Sequence, residues 1–268
     1  MRVHKKSILF IVLDSCRYDT FNHAQLPNLR SVGPLFKASA PSYFTYASHA
    51  AMFVGFTPGV AAVERSFLNP KFAKIFKLGQ ANFLGKEGAF QLQGRSIMQG
   101  LSRAGYAVFG TGGVRWFDPS TETGKLLSLD FDKFFYTGDT HSLTRQVRWI
   151  EQKLAECEGQ PVFAFLNVGE THVPYYFEGA PWSVDDNPCV PFQKLDRAAE
   201  CRARQTACLE YIDRELHDLL PAFCDSTIIV CADHGDCWGE DGIWEHGVAH
   251  EMTLSVPLMI RLSGRPIE

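Results

Sequence analysis

Thr227-Ile228-Ile229-Val230-Cys231-Ala232-Asp233-His234-Gly235-Asp236 is an apolar run that ends abruptly in an acid and an imidazole. Gly239-Glu240-Asp241-Gly242 and Trp244-Glu245-His246-Gly247 follow, so a second histidine arrives behind a glycine-rich loop. Carboxylate plus imidazole at the carboxyl end of a strand is how a chain offers hard and borderline ligands to a divalent metal. One Asp-His pair is weak evidence alone, and its weight comes from partners elsewhere in the chain.

The first partner is Asp14, which closes the run Ser7-Ile8-Leu9-Phe10-Ile11-Val12-Leu13. A short apolar run flanked by charge reads as a buried parallel strand. An acid at its end lies where open α/β sheets place their ligand crevice. Such an acid is costly unless paired or liganded, which favours a metal role over a simple helix cap. Arg2, Lys5 and Lys6 precede the run, but Asp14 interrupts it and no clean cleavage site follows, so a secretory signal is not expected.

The second partner is Ala40-Pro41-Ser42-Tyr43-Phe44-Thr45-Tyr46-Ala47-Ser48-His49-Ala50-Ala51-Met52-Phe53-Val54-Gly55. Pro41 and Ser42 read as a loop, and Ala47 to Val54 as a small-residue helix. Thr45 then falls at or near a helix N-terminus, where free N–H groups and the helix dipole favour an anion such as a phosphoryl group. A Thr hydroxyl is a poor nucleophile at neutral pH, and metal coordination activates it.

Elsewhere strand and helix signals alternate. Ser96–Ala104 reads as a helix before the strand Tyr106–Gly110, and His141–Glu158 as an amphipathic helix with Leu143, Val147, Ile150 and Leu154 at helical spacing. Pro161–Val168 reads as a buried strand leading to Glu170 and His172, Ala199–Leu220 as a long helix, and Val256–Arg261 as a further strand. This is the βαβ pattern of a single α/β domain over residues 1–268, with a mainly parallel sheet covered by helices on both faces. The aromatic-rich stretch Glu64–Gln93 (Phe67, Phe72, Phe76, Phe83, Phe90) reads as a cap, and the proline-bearing Phe177–Leu195 as a loop over the site.

Asp14, Thr45, Asp233 and His234, in this order and spacing, resemble the alkaline phosphatase superfamily. The similarity extends to Val12-Leu13-Asp14-Ser15-Cys16-Arg17-Tyr18-Asp19, Leu26-Pro27-Asn28-Leu29, Thr171-His172-Val173-Pro174-Tyr175 and Val256-Pro257-Leu258-Met259-Ile260. The branch it looks most like holds the sulfatase-like and phosphoethanolamine-transferase-like metalloenzymes. The resemblance implies an alkaline-phosphatase-like fold, with Asp14, Asp233 and His234 as metal ligands. Thr45 matches the nucleophile that also touches that metal. His172 and His246 match positions that bind a second metal, or the substrate and leaving group. Glu170, His250 and Arg115 are further candidates, the last as an anion clamp, and His49 is expected to support the site from the helix after Thr45.

The departures from the sulfatase pattern point the same way. Sulfatases convert a Cys or Ser to formylglycine, and Thr45 cannot give that aldehyde. Ser15 stands where they carry a second acid, His49 where they carry an Arg, and their Lys is missing from Gly110-Thr111-Gly112-Gly113-Val114-Arg115. These changes favour phosphorus chemistry. The resemblance thus implies a metal-dependent hydrolase of phosphate or phosphonate esters, passing through a phospho-threonine. One or two divalent ions are implied, zinc first and manganese as the rival. The alternatives are a phospho-group transferase, a sulfatase-like hydrolase without formylglycine, and a degenerate metal-binding scaffold.

Composition is consistent with this. The chain of 268 residues is long enough for one sizeable core. A formal charge of -4 gives no reason to expect nucleic acid or an anionic membrane as partner, and no apolar run approaches the roughly 18–20 residues of a membrane span. A small or soluble phosphoester is therefore the expected substrate. The 8 cysteines include no CxxC pair. Cys16 and Cys231 look like packing residues, Cys237 sits in the loop beside the site, and a reduced cytoplasm is expected. The chain ends soon after Val256–Arg261, so the extra C-terminal subdomain of many sulfatases is not expected.

Overall fold

A computed structural model of the chain describes residues 3–55, 77–78, 90–91, 95–157 and 159–268. The strands of its main sheet are β1 Ile8–Leu13, β2 Phe36–Ser39, β3 Ala107–Gly112, β4 Lys133–Tyr136, β5 Val162–Val168, β6 Thr227–Ala232, β7 Ser255–Leu262 and β8 Arg265–Pro266. They form an 8-stranded sheet in the order β8-β7-β6-β1-β5-β3-β4, with β2 also paired to β7. From β6 to β4 the neighbours are parallel, and β7 joins β6, β8 and β2 antiparallel. The longer helices are α1 Tyr18–His23, α2 Thr45–Val54, α3 Ile97–Arg103, α4 Glu122–Ser128, α5 Leu143–Glu156 and α6 Ala198–Glu215.

Side chains alternate across the pleat, and each face buries its own core. Leu9, Ile11 and Leu13 of β1 join Ala164, Leu166, Ile228 and Val230 beneath α5 and α6, which contribute Val147, Ile150, Leu209 and Ile212. Val12, Phe163, Phe165 and Cys231 point the other way, against Tyr46, Ala50 and Phe53 of α2, Met98 of α3 and Leu127 of α4. All seven residues of β5 are buried, which explains why it reads as a continuous apolar run. Each such buried Leu, Ile or Phe contributes roughly 1.5–3 kcal/mol.

The helix expected over Ala199–Leu220 stops at Glu215, and a separate turn Leu219–Ala222 follows. Three strands of the main sheet escaped the sequence reading: β2 alternates half-buried with exposed residues, none of the four residues of β4 is fully buried, and β8 is two exposed residues long. Most of Glu64–Gln93, including Phe67, Phe72, Phe76 and Phe83, lies outside the described residues; within it Lys77–Leu78 pairs antiparallel with Phe90–Gln91.

Strand register places the acids. Leu13 pairs with Ala232 on one side and with Val168 on the other. Asp14 and Asp233 therefore leave adjacent central strands at one level, at the carboxyl edge where ligand crevices form.

Candidate active site

The carboxylates at that edge are fully buried, as is His234. Asp233 Oδ1 accepts the backbone N–H groups of Ser15 at 3.1 Å and His234 at 2.9 Å. Its other oxygen, Oδ2, is buried without a hydrogen-bond partner and lies 3.6 Å from His234 Nε2. Asp14 Oδ1 is 3.7 Å from the same nitrogen, and Thr45 Oγ1 is 3.3 Å from it. Four donors from three chain regions thus surround one small space. Asp14, Asp233 and His234 form a group whose ligand atoms lie within 4.8 Å of one another.

Local structure explains the aim of each. Thr45 is the first residue of α2, preceded by Phe44 in extended conformation, so the helix end opens toward the acids. Ser48, one turn on, donates to the Asp233 carbonyl at 2.7 Å and ties α2 to β6. Gly235 follows His234 because a Cβ there would meet the Met252 carbonyl at 2.3 Å. Ser15 holds φ at +60° directly after Asp14; non-glycine residues in this region cluster at functional sites.

Electrostatics fit a cation. Burial, then the charge of Asp14, pushes Asp233 well above the usual carboxylate range, against the two N–H bonds that pull it down. Burial, then the charge of His246, pulls His234 down to about 4. Two buried acids with one unpartnered oxygen and a neutral imidazole are costly alone; a divalent ion would satisfy all three, and this Asp/His/Thr donor set suits zinc or manganese. The residues present therefore fit the metal that the sequence resemblance implies.

His172 and His246 stand beside this centre. The His246 ring is 4.4 Å from that of His234 and 5.2 Å from that of His172, centroid to centroid. All three rings are tied through Nδ1: His234 to the Gly235 carbonyl at 3.0 Å, His172 to the Val173 carbonyl at 2.8 Å, and His246 to Asp236 Oδ1 at 2.7 Å. Burial lowers His246, but the adjacent Asp236 carboxylate outweighs it and raises the ring to about 9. Asp236 groups with His234 and His246 as a second set of potential ligand atoms, a position that the sequence reading quoted but did not single out.

One other contributor was missed. Asn167 of β5 donates to Asp14 Oδ2 at 3.5 Å and lies 3.4 Å from His49 Nε2. A polar residue inside Phe163-Ala164-Phe165-Leu166-Asn167-Val168 was the available signal, since a buried amide needs partners. His49, expected as a supporting residue, lies 2.8 Å from the Thr45 carbonyl through Nδ1 and packs edge-on to Phe117 and Phe165.

The spare candidates turn elsewhere. Glu170 Oε1 accepts the Leu143 N–H at 2.8 Å and so serves the start of α5. His250 caps the turn Glu251–Leu254, with Nδ1 accepting from Met252 N–H and Nε2 3.2 Å from Asp241. Arg115 is exposed, and its charge bears on Asp118 and Tyr136. None of the three belongs to the groups that can hold a metal.

The loop after His172 lacks regular structure, as expected, and is anchored on α6 by Asp186 pairing with Arg197 and Arg204. Arg17 bonds Asp19 at 2.8 Å and Glu240 at 2.7 Å while its guanidinium covers Trp238, which fastens the loop after His234 to the end of β1. All eight cysteines are free thiols. Among the described residues no helix is long and apolar enough to cross a membrane.

No protein-family model matches the chain, and no curated protein matches it in sequence. Solved structures do. The C-terminal periplasmic domain of the phosphoethanolamine transferase EptC from Campylobacter jejuni is 15% identical, with a TM-score of 0.62 over 97% of this chain and 80% of that one. The EptC domain from Escherichia coli, in complex with zinc, gives 0.63 at 14% identity over 98% and 75%. The phosphonate monoester hydrolase from Silicibacter pomeroyi gives 0.66 at 14% identity over 97% and 69%. A protein in the alkaline phosphatase superfamily from Vibrio parahaemolyticus gives 0.54 at 16% identity over 99% and 62%. The sequence resemblance is thus matched by architecture: this chain has the mixed α/β fold of the alkaline phosphatase superfamily.

Proposed function

We propose that the chain is a metal-dependent hydrolase of phosphate or phosphonate esters with Thr45 as nucleophile. The observation that carries this reading is the unpartnered Asp233 Oδ2 facing Asp14 Oδ1, Thr45 Oγ1 and His234 Nε2. Asp14, Asp233, His234 and Thr45 would hold the ion, zinc first and manganese second. When bound, the ion supplies Lewis-acid charge that lowers the pKa of the Thr45 hydroxyl and offsets charge on the phosphoryl oxygens.

The protein's own groups do the rest. The α2 N-terminus presents its free N–H groups to the phosphoryl oxygens. Thr45 Oγ, its proton released to solvent, forms the new bond to phosphorus as the bond to the leaving oxygen breaks in line, giving a phospho-threonine. With Nδ1 of His172 and His246 tied to the Val173 carbonyl and Asp236, Nε2 is the nitrogen each ring has left for that region, and a protonated His246 would hand its proton to the leaving oxygen. Water then cleaves the phospho-threonine. In the alternative arrangement the two histidines, neutral and with Asp236 beside them, would hold a second ion in place of that proton.

Likeness to the EptC domains favours a second reading, in which the phospho group passes to an alcohol instead of water. The free thiols agree with a reducing compartment, and the cytoplasm remains our assignment, to be checked by fractionation. The test of the main reading is metal content and turnover of bis- and mono-p-nitrophenyl phosphate, a phenylphosphonate ester and an aryl sulfate, by wild type and Thr45→Ala. Bound zinc or manganese with phosphoester turnover lost in Thr45→Ala supports it, and added glycerol or ethanolamine separates hydrolysis from transfer. No metal and no turnover after metal supplementation leaves the scaffold reading.

A further inference from the structure

We infer that Asp236 is a positioning residue for His246: it holds the Nδ1–H of that ring and so turns Nε2 toward the phosphoryl site. The inference rests on the phosphoester reading above and deepens it.

The three site histidines are not held alike. His234 and His172 bond through Nδ1 to carbonyls of the residues that follow them, Gly235 and Val173. Their own backbone fixes them. His246 follows the short strand Trp244–Glu245, which pairs antiparallel with Cys237–Trp238 and ends in a φ of +66° at Glu245, and no neighbouring carbonyl takes its Nδ1. A carboxylate ten residues earlier in the chain does, at 2.7 Å.

That carboxylate is itself immobilised. Asp236 is fully buried, and its Oδ2 accepts the Tyr175 hydroxyl at 2.9 Å. The Tyr175 oxygen in turn accepts Trp238 Nε1–H at 2.7 Å. Tyr175 and Trp238 sit in an apolar cluster with Cys189, Cys201 and Cys208, so neither polar group has water to exchange with. Arg17 bonds the Asp236 carbonyl at 3.2 Å and stacks on Trp238, which closes the brace. The chain Trp238–Tyr175–Asp236–His246 occupies Nδ1 and leaves Nε2 as the nitrogen free to serve the site, where the rings of His234 and His172 lie 4.4 and 5.2 Å away, centroid to centroid. A carboxylate behind a working histidine fixes both its tautomer and its orientation.

The consequence falls on the leaving group. The Asp236 carboxylate makes no hydrogen bond to Thr45, Asp14, Asp233 or His234, although its ligand atom lies within 4.8 Å of those of His234 and His246. Attack on phosphorus should therefore suffer less from its loss than departure of an ester oxygen that needs a proton or a charge partner. The experiment uses the zinc-loaded full chain, labelled with 15N-histidine, as wild type, Asp236→Asn and Tyr175→Phe, each checked by thermal melting. In wild type we expect a far-downfield, slowly exchanging Nδ1 proton on His246, absent in Asp236→Asn and shifted in Tyr175→Phe. Turnover of an alkyl phosphodiester should fall about 10–100-fold in Asp236→Asn, while a p-nitrophenyl ester loses less than about threefold. Absence of the Nδ1 proton in zinc-loaded wild type would overturn the inference, since Asp236 would then serve as a ligand. Equal losses for both esters would overturn it as well. If wild type turns over neither ester, the phosphoester reading fails, and the Nδ1 proton still decides whether Asp236 holds His246.

Discussion

The hydroxyl of Thr45 lies 3.3 Å from Nε2 of His234, although 189 residues separate them. Helix α2 brings one and strand β6 the other, and Ser48 locks the two elements together by its bond to the Asp233 carbonyl. The proposed nucleophile and the proposed ligands therefore share one frame, the arrangement that would keep a reacting oxygen within reach of its activator.

Thr45→Ala should abolish phosphoester turnover, by a factor on the order of 10³ or more, while metal binding by Asp14, Asp233 and His234 persists. Thr45→Ser should retain part of the activity, since the hydroxyl remains. Steady-state rates alongside metal analysis of the same preparations check this. Equal activity in Thr45→Ala and wild type contradicts it.

Asp233→Asn should act in opposite directions on two properties. It removes an unpartnered buried charge beside Asp14, so the metal-free protein should melt at a higher temperature at pH 7. It also removes a ligand, so the stabilisation gained on adding zinc should disappear. Thermal melts with chelator and with zinc measure both, and a lower melting temperature in chelator would count against the geometry.

Much of this frame is legible in the sequence, for a physical reason. Asp14 and Asp233 end buried apolar runs, and an acid there is so costly that it advertises a ligand. Thr45 announces itself through the small-residue helix that follows. Asp236 does not, because it is one polar residue among several in a loop, and only the contact with His246 distinguishes it. Glu170 and His250 look like ligands by spacing, yet each bonds a backbone N–H at the start of a helix or turn, a choice that depends on side-chain direction. The antiparallel β7 reads like any other apolar strand, since the pattern of burial carries no information on direction.

Glu170 predicts a pH-dependent stability. Burial raises its pKa from 4.5 to about 8, against the pull of the Leu143 N–H. The folded state thus keeps a proton that the unfolded chain releases above its ordinary pKa. Stability contributed by the neutral acid is complete below pH 4.5 and is lost as pH rises toward 8. Each unit of difference is worth about 1.4 kcal/mol, so Glu170→Gln should melt several degrees above wild type at pH 9 and close to it at pH 4.5. Parallel melting curves across pH would contradict this.

Gly235→Ala should damage both fold and site. The added Cβ would meet the Met252 carbonyl at 2.3 Å, and relief requires the backbone after His234 to move. A cost of about 1–3 kcal/mol and weaker zinc binding are expected, measured by denaturant titration and metal affinity. Unchanged zinc affinity would show that His234 tolerates the shift.

The most direct measurement is peptide mass spectrometry of metal-loaded protein quenched in acid during turnover of an activated phosphoester. The account predicts a covalent phospho adduct on the peptide that contains Thr45, appearing within the first turnover and absent from Thr45→Ala. Sustained turnover with no adduct on Thr45, or with the adduct on another residue, would contradict it.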